Sequence, residues 1–89
     1  MRAVITVIGK DTVGIIAEVT KILSENNVNI LDITQSVLSD LFAMIMLTDI
    51  TDSKIEFPVL SEKLQESGTK KGVKVHVMHE DIFNAMHRI

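Results

Sequence analysis

Cysteine, tryptophan and tyrosine are absent from this 89-residue chain, which carries only three phenylalanines, four glycines and one proline. Without cysteine there is no disulfide, no thiolate ligand and no cysteine nucleophile. With so few rings, the core must be packed from Val, Ile, Leu and Met. An excess of positive charge is missing too: nine Lys and Arg stand against twelve Asp and Glu, a formal net charge of −3. That balance argues against a general nucleic-acid binder, which needs a basic stripe to neutralise phosphates. No apolar run approaches the ~20 residues of a membrane span. Residues 1–8 are too short for the apolar core and cleavage site of a signal peptide. A cytoplasmic protein with no nucleic-acid partner and no membrane partner is the expectation.

What is present reads as one small domain with a single core. The mean hydropathy of +0.29 is high for so small a soluble unit, so a partner chain is expected to cover part of the apolar surface. Residues 3–8 (AVITVI) form a β-branched run, as in a strand covered on both sides. Asp11 or Thr12 can N-cap the helix that follows. There Ile15, Ile16, Val19, Ile22 and Leu23 share one face, while Glu18, Lys21 and Glu25 lie opposite. Asn26 and Asn27 supply a stop that tolerates the left-handed region.

Residues 28–38 predict a second strand with a change of parity. Val28 and Ile30 point one way, Ile33 and Val37 the other, and a β-bulge near Leu31 and Asp32 would restore a single buried face. Ser39 and Asp40 make a tight hairpin into residues 41–50, which are apolar on both faces up to Thr48. After a loop at 51–54, Pro58 sits in the first turn of a second helix with Phe57, Leu60 and Leu64 as its stripe. Lys70 and Lys71 suit that helix's C-terminal dipole, and Gly72 can cap it. Val73, Val75 and Val77 alternate with Lys74 and His76 as a half-exposed strand. Residues 81–89 put Ile82, Phe83, Met86 and Ile89 on one face of a terminal helix, able to cover the open side of the sheet or to dock on a second subunit.

The order βαββαβ predicts an α+β, ferredoxin-like sandwich: a four-stranded antiparallel sheet with two helices on one face, plus a short C-terminal helix. In that topology the first and third strands lie in the centre. Here those two are the uniformly apolar ones and the other two alternate, so pattern and topology agree. Residues 1–79 are expected to form the domain and 80–89 its helical extension.

The fold hosts unrelated functions, so the site must decide. An RNA reader of this topology stacks bases on strand aromatics, and the strands offer only Phe42. A metal carrier would need cysteines in the first loop. An acylphosphatase-like enzyme would need an arginine there, where the chain has Lys10 and Asp11. The remaining signal is the run Gly9-Lys10-Asp11-Thr12-Val13-Gly14, the helix after it, and Val28-Asn29-Ile30-Leu31-Asp32-Ile33. Over residues 1–79 the chain resembles the ACT domain, a small regulatory module that commonly binds amino acids at a dimer interface. It is most similar to short stand-alone members and to the modules of the glycine cleavage system transcriptional repressor. Many members carry proline where this chain has Val13, and serine-binding members can carry asparagine where it has Asp11.

The resemblance implies a homodimer in which the first loop of one chain faces the second strand of the other. A small amino acid would sit among Asp11, Thr12, Val13, Gly14, Ile15, Asn29 and Ile30. The physical reading agrees: a helix start attracts a carboxylate, Asn29 can donate and accept, and Asp11 can pair with an ammonium group. Each residue also has a plainer role: Asp11 as a cap, Gly14 as a packing residue, Asn29 as the cap of a strand. Met44, Met46, Met78 and Met86 read as core or interface filler. His76, His79 and His87 lack the spacing of a zinc enzyme and read as solvated. No triad or carboxylate pair stands out. The expectation is a non-enzyme without cofactor or metal, binding a small amino acid as a homodimer or larger assembly and signalling to a regulated protein. The alternative is a ligand-free dimerisation or interaction module.

Overall fold

A computed structural model describes residues 1–10 and 14–86. The elements run β1 (Arg2–Gly9), α1 (Ile15–Glu25), β2 (Asn29–Leu38), β3 (Leu41–Asp49), α2 (Phe57–Lys71), β4 (Lys74–His79) and α3 (Glu80–Met86). The sheet is antiparallel in the order β2-β3-β1-β4, so the two uniformly apolar strands are indeed central. Ala3, Ile5 and Val7 of β1 join Met44 and Met46 of β3 and Val75 of β4 on the inner face. Against them pack Ile15, Val19 and Leu23 of α1 with Leu60 and Leu64 of α2. Burying each such side chain contributes about 1.5–3 kcal/mol, which sets which face of each helix turns inward. Thr48 is wholly buried among them, and its hydroxyl donates to the Ala3 carbonyl at 2.9 Å.

Close approach of α2 to β4 depends on Gly68. A Cβ built there would lie 2.5 Å from Val75 Cγ2 and 3.1 Å from the Val73 carbonyl oxygen. α2 ends as its sequence suggests, with Pro58 in the first turn, Lys70 and Lys71 in the last, and Gly72 capping at φ 76°. Asn27 takes φ 60° after α1, and Ser39 takes φ 59° in the two-residue hairpin.

Three local expectations are corrected. The N-cap of α1 is Gly14, at φ 83° and with no side-chain cap bond, so the helix begins at Ile15 rather than directly after Asp11 or Thr12. Asp11, Thr12 and Val13 lie outside the described residues. The bulge does fall between Ile30 and Asp32, yet it yields no buried face on β2. Ile30, Leu31, Ile33 and Val37 stay exposed, Val37 at 67%. The reason is topological: β2 is an edge strand, and among the described residues the buried core is built from β1, β3 and β4 against α1 and α2, with none from β2. Met44 and Met46 are core, as expected, whereas Met86 is 65% exposed. His76 is exposed, but His79 stacks on Phe57 with ring centroids 4.4 Å apart, so its ring is not simply solvated. His87 lies outside the described residues.

Candidate functional site

The strand register decides how the site residues stand to one another. Gly9, where β1 ends, pairs with Phe42, which pairs with Val37. Arg2, where β1 begins, pairs with Asp49, which pairs with Asn29. Gly9 and the start of β2 therefore lie at opposite ends of the sheet, roughly 23 Å apart along the strand direction. Eleven-residue α1 spans the gap. Within one chain, Gly14 and Ile15 do not meet Asn29 and Ile30. Sequence reasoning placed these residues around one volume shared by two copies, and a single copy does not bring them together.

Each half has its own chemistry. At the first half, Glu18 N–H donates to the Gly14 carbonyl at 3.0 Å as the first helical bond. The N–H groups of Ile15, Ile16 and Ala17 precede that ladder and carry the positive end of the helix dipole. The Ile15 side chain is fully buried, so only its backbone is available at the helix start. Gly14 needs no ligand to explain it, because its positive φ already disfavours a side chain. Lys71 adds a cation: its Nζ lies 3.5 Å from where a Gly14 Cβ would be. The sequence showed Lys71 only as a residue of the last turn of α2. Its approach to α1 depends on the two helices lying side by side, and no sequence signal carries that.

At the second half, Asn29 and Ile30 border a cleft of about 370 Å³ together with Thr20, Ser24 and Asn27. None of these side chains is charged. Thr20 hydrogen-bonds back to the Ile16 and Ala17 carbonyls, and the Asn27 amide donates to the Asp52 carbonyl at 3.1 Å. The Asn29 side chain is exposed. Among the described residues no cluster of three or more His, Asp or Glu side chains could hold a metal ion.

The family profile described as the ACT domain matches residues 2–78 of this chain. The chain belongs to the ACT-domain family. A UPF0237 protein of Methanocaldococcus jannaschii is 53% identical over 88 residues, covering 99% of this chain and 98% of that protein. Among solved structures, an ACT domain protein from Streptococcus pneumoniae is 37% identical, with a TM-score of 0.79 and 93% of each chain covered. A glycine cleavage system transcriptional repressor shares the fold at TM-score 0.73 and 14% identity, over 85% of this chain and 44% of its own. ACT membership makes this chain a regulatory type of module. Among its described residues, no helix is long and apolar enough to cross a membrane.

Proposed function

We propose that this ACT domain is a non-catalytic cytoplasmic regulator that binds a small amino acid, or a similar zwitterion, where two copies meet along β2. The observation that carries the reading is the edge strand itself. β2 is ten residues long, has an unpaired edge, and exposes Ile30, Leu31, Ile33 and Val37. Such an edge invites pairing with another strand. Antiparallel pairing with the same strand of a second copy lays the partner's Asn29 beside the Val37 end of this copy's β2. That is the end of the sheet where β1 finishes at Gly9. Two halves that one chain keeps apart are thereby brought to one side, twice per dimer, as an isologous contact requires.

The chemistry then divides between the copies. The free N–H groups of α1 and the Lys71 ammonium attract the carboxylate. Asn29 of the other copy supplies an amide, and Asp11 supplies a counter-charge for the ammonium. Thr12, Val13, the Ile15 backbone and Ile30 complete the walls. Because the ligand touches both copies, binding and dimerisation reinforce each other. The response then passes to a regulated protein by contact.

A thermal-shift screen against the proteinogenic amino acids at several millimolar tests this. One or two related amino acids should raise the melting temperature. Asn29→Ala should weaken that ligand by about 1–3 kcal/mol, as expected for a buried group losing its partner. An unchanged affinity removes Asn29 from the site. A flat screen with a dimer present in light scattering favours instead a ligand-free interaction module, since dimerisation alone accounts for the apolar edge.

A further inference from the structure

The sheet has a second face, turned away from α1 and α2, and its surface is not that of a face meeting only water. Its central positions are Val4, Thr6 and Ile8 on β1 and Leu41, Ala43, Ile45 and Leu47 on β3, none of them charged. Charge lies at its margins: Asp32 on β2, Lys74 on β4, and the paired Arg2 and Asp49 at one end of β1 and β3. An apolar centre with a polar rim is the anatomy of an interface, whereas a solvated face of an antiparallel sheet alternates to polar residues.

This face is covered over one half only. Val4 points away from the core yet is 3% exposed. α3 contacts β1 and β4, and its Glu80 reaches to 3.3 Å from Arg2, whose position on β1 faces away from the core. The terminal helix thus turns back over the β1–β4 half. The β3 half stays open, with Leu41 at 39% and Ile45 at 38% exposure. α3 itself is only partly used: Phe83 is half-buried, while Ile82 and Met86, one turn apart, are 53% and 65% exposed.

We propose that a second copy of this chain covers this face, the Ile82–Met86 side of each α3 lying over the open β3 half of the other copy. A half-sheet lacking a helix and a helix with an unused apolar side stand on the same chain. A two-fold arrangement satisfies both at once, whereas a different protein would have to bring a match for each. The size is adequate: the molecule is a slab of 36 × 34 × 19 Å. One broad side presents roughly 900 Å², comparable to the ~800 Å² that each partner buries in a stable interface. The contact is separate from the β2 edge and does not depend on ligand binding there.

Light scattering on the full chain and on two variants, Ile45→Asp and Met86→Asp, tests the proposal. Each variant should reduce the molar mass by half or more while the far-ultraviolet circular dichroism stays that of the folded protein. The amino-acid response assigned to the β2 edge should persist in both, which separates failure of this contact from failure of that site. Met86 is exposed in the single copy, so its variant decides the matter should Ile45→Asp unfold the sheet. A mass equal to wild type in Met86→Asp overturns the proposal, as does a loss confined to Ile45→Asp.

Discussion

Replacing Gly68 by alanine sets two effects of opposite sign against each other at one atom. In an isolated helix the change would stabilise by about 1 kcal/mol, because alanine is the better helix former and glycine the more flexible in the unfolded chain. In this fold the new methyl would lie 2.5 Å from Val75 Cγ2, 3.2 Å from Val75 Cβ and 3.1 Å from the Val73 carbonyl oxygen. Val75 is 5% exposed and β-branched, so it has little freedom to rotate away. The backbone oxygen cannot move without β4. Separating α2 from β4 also disturbs Leu60 and Leu64, and overpacking of this kind costs about 1–3 kcal/mol. The clash outweighs the propensity gain, leaving a net loss of about 1–2 kcal/mol. For a domain of this size that corresponds to a fall in Tm of roughly 5–15 °C. Thermal unfolding followed by circular dichroism at one fixed protein concentration measures it, since association shifts Tm by mass action. Adding Val75→Ala should make the double variant less destabilised than the sum of the singles. A Gly68→Ala variant as stable as wild type, or more so, refutes the argument that α2–β4 distance requires glycine.

Neighbouring Ser67 should behave in the opposite way. Its hydroxyl is buried with no hydrogen-bond partner among the described residues, so Ser67→Ala should stabilise the domain by about 1 kcal/mol in urea unfolding; a lower midpoint would show that the hydroxyl is satisfied. Val37→Lys places a charge on the exposed β2 edge, where a single copy loses nothing. It should halve the molar mass in light scattering, and an unchanged mass would take β2 out of the interface. Asp49 accepts the Thr51 hydroxyl at 2.6 Å and the Thr51 N–H at 2.9 Å. These bonds, helped by the N-terminal ammonium and Arg2, hold its carboxyl below its ordinary value of 3.8. The stability this contributes is present above pH 3.8 and is lost as pH falls through the lower folded value. Carboxyl titration by NMR checks it, and a midpoint at or above 3.8 would contradict the contact.

Local signals determined most of the fold. β-branched runs, the helical stripe from Ile15 to Leu23, Pro58 at a helix start and Gly72 at its end each act over a few residues, so they can be read along the chain. The placement of β1 and β3 in the centre was also legible, because the two strands that are apolar on both faces are the ones the βαββαβ topology pairs on both edges. The start of α1 was misread because Asp11 and Thr12 are good capping residues, while Gly14 serves through its backbone conformation, which composition does not reveal. The parity change in β2 correctly indicated a bulge and wrongly suggested a buried face, since parity reports which way side chains point and not whether anything lies opposite.

The sequence by itself determined the family and the element order, and it nominated the residues of the candidate site. Only the tertiary structure decided how those residues stand to one another. Strand pairing sends Gly14 and Asn29 to opposite ends of the sheet, and helix packing brings Lys71 to Gly14. It also leaves apolar surface on the β2 edge and on the outer face. Secondary structure follows from interactions between near neighbours in the chain. Burial and proximity depend on contacts between residues dozens of positions apart, which no local pattern records.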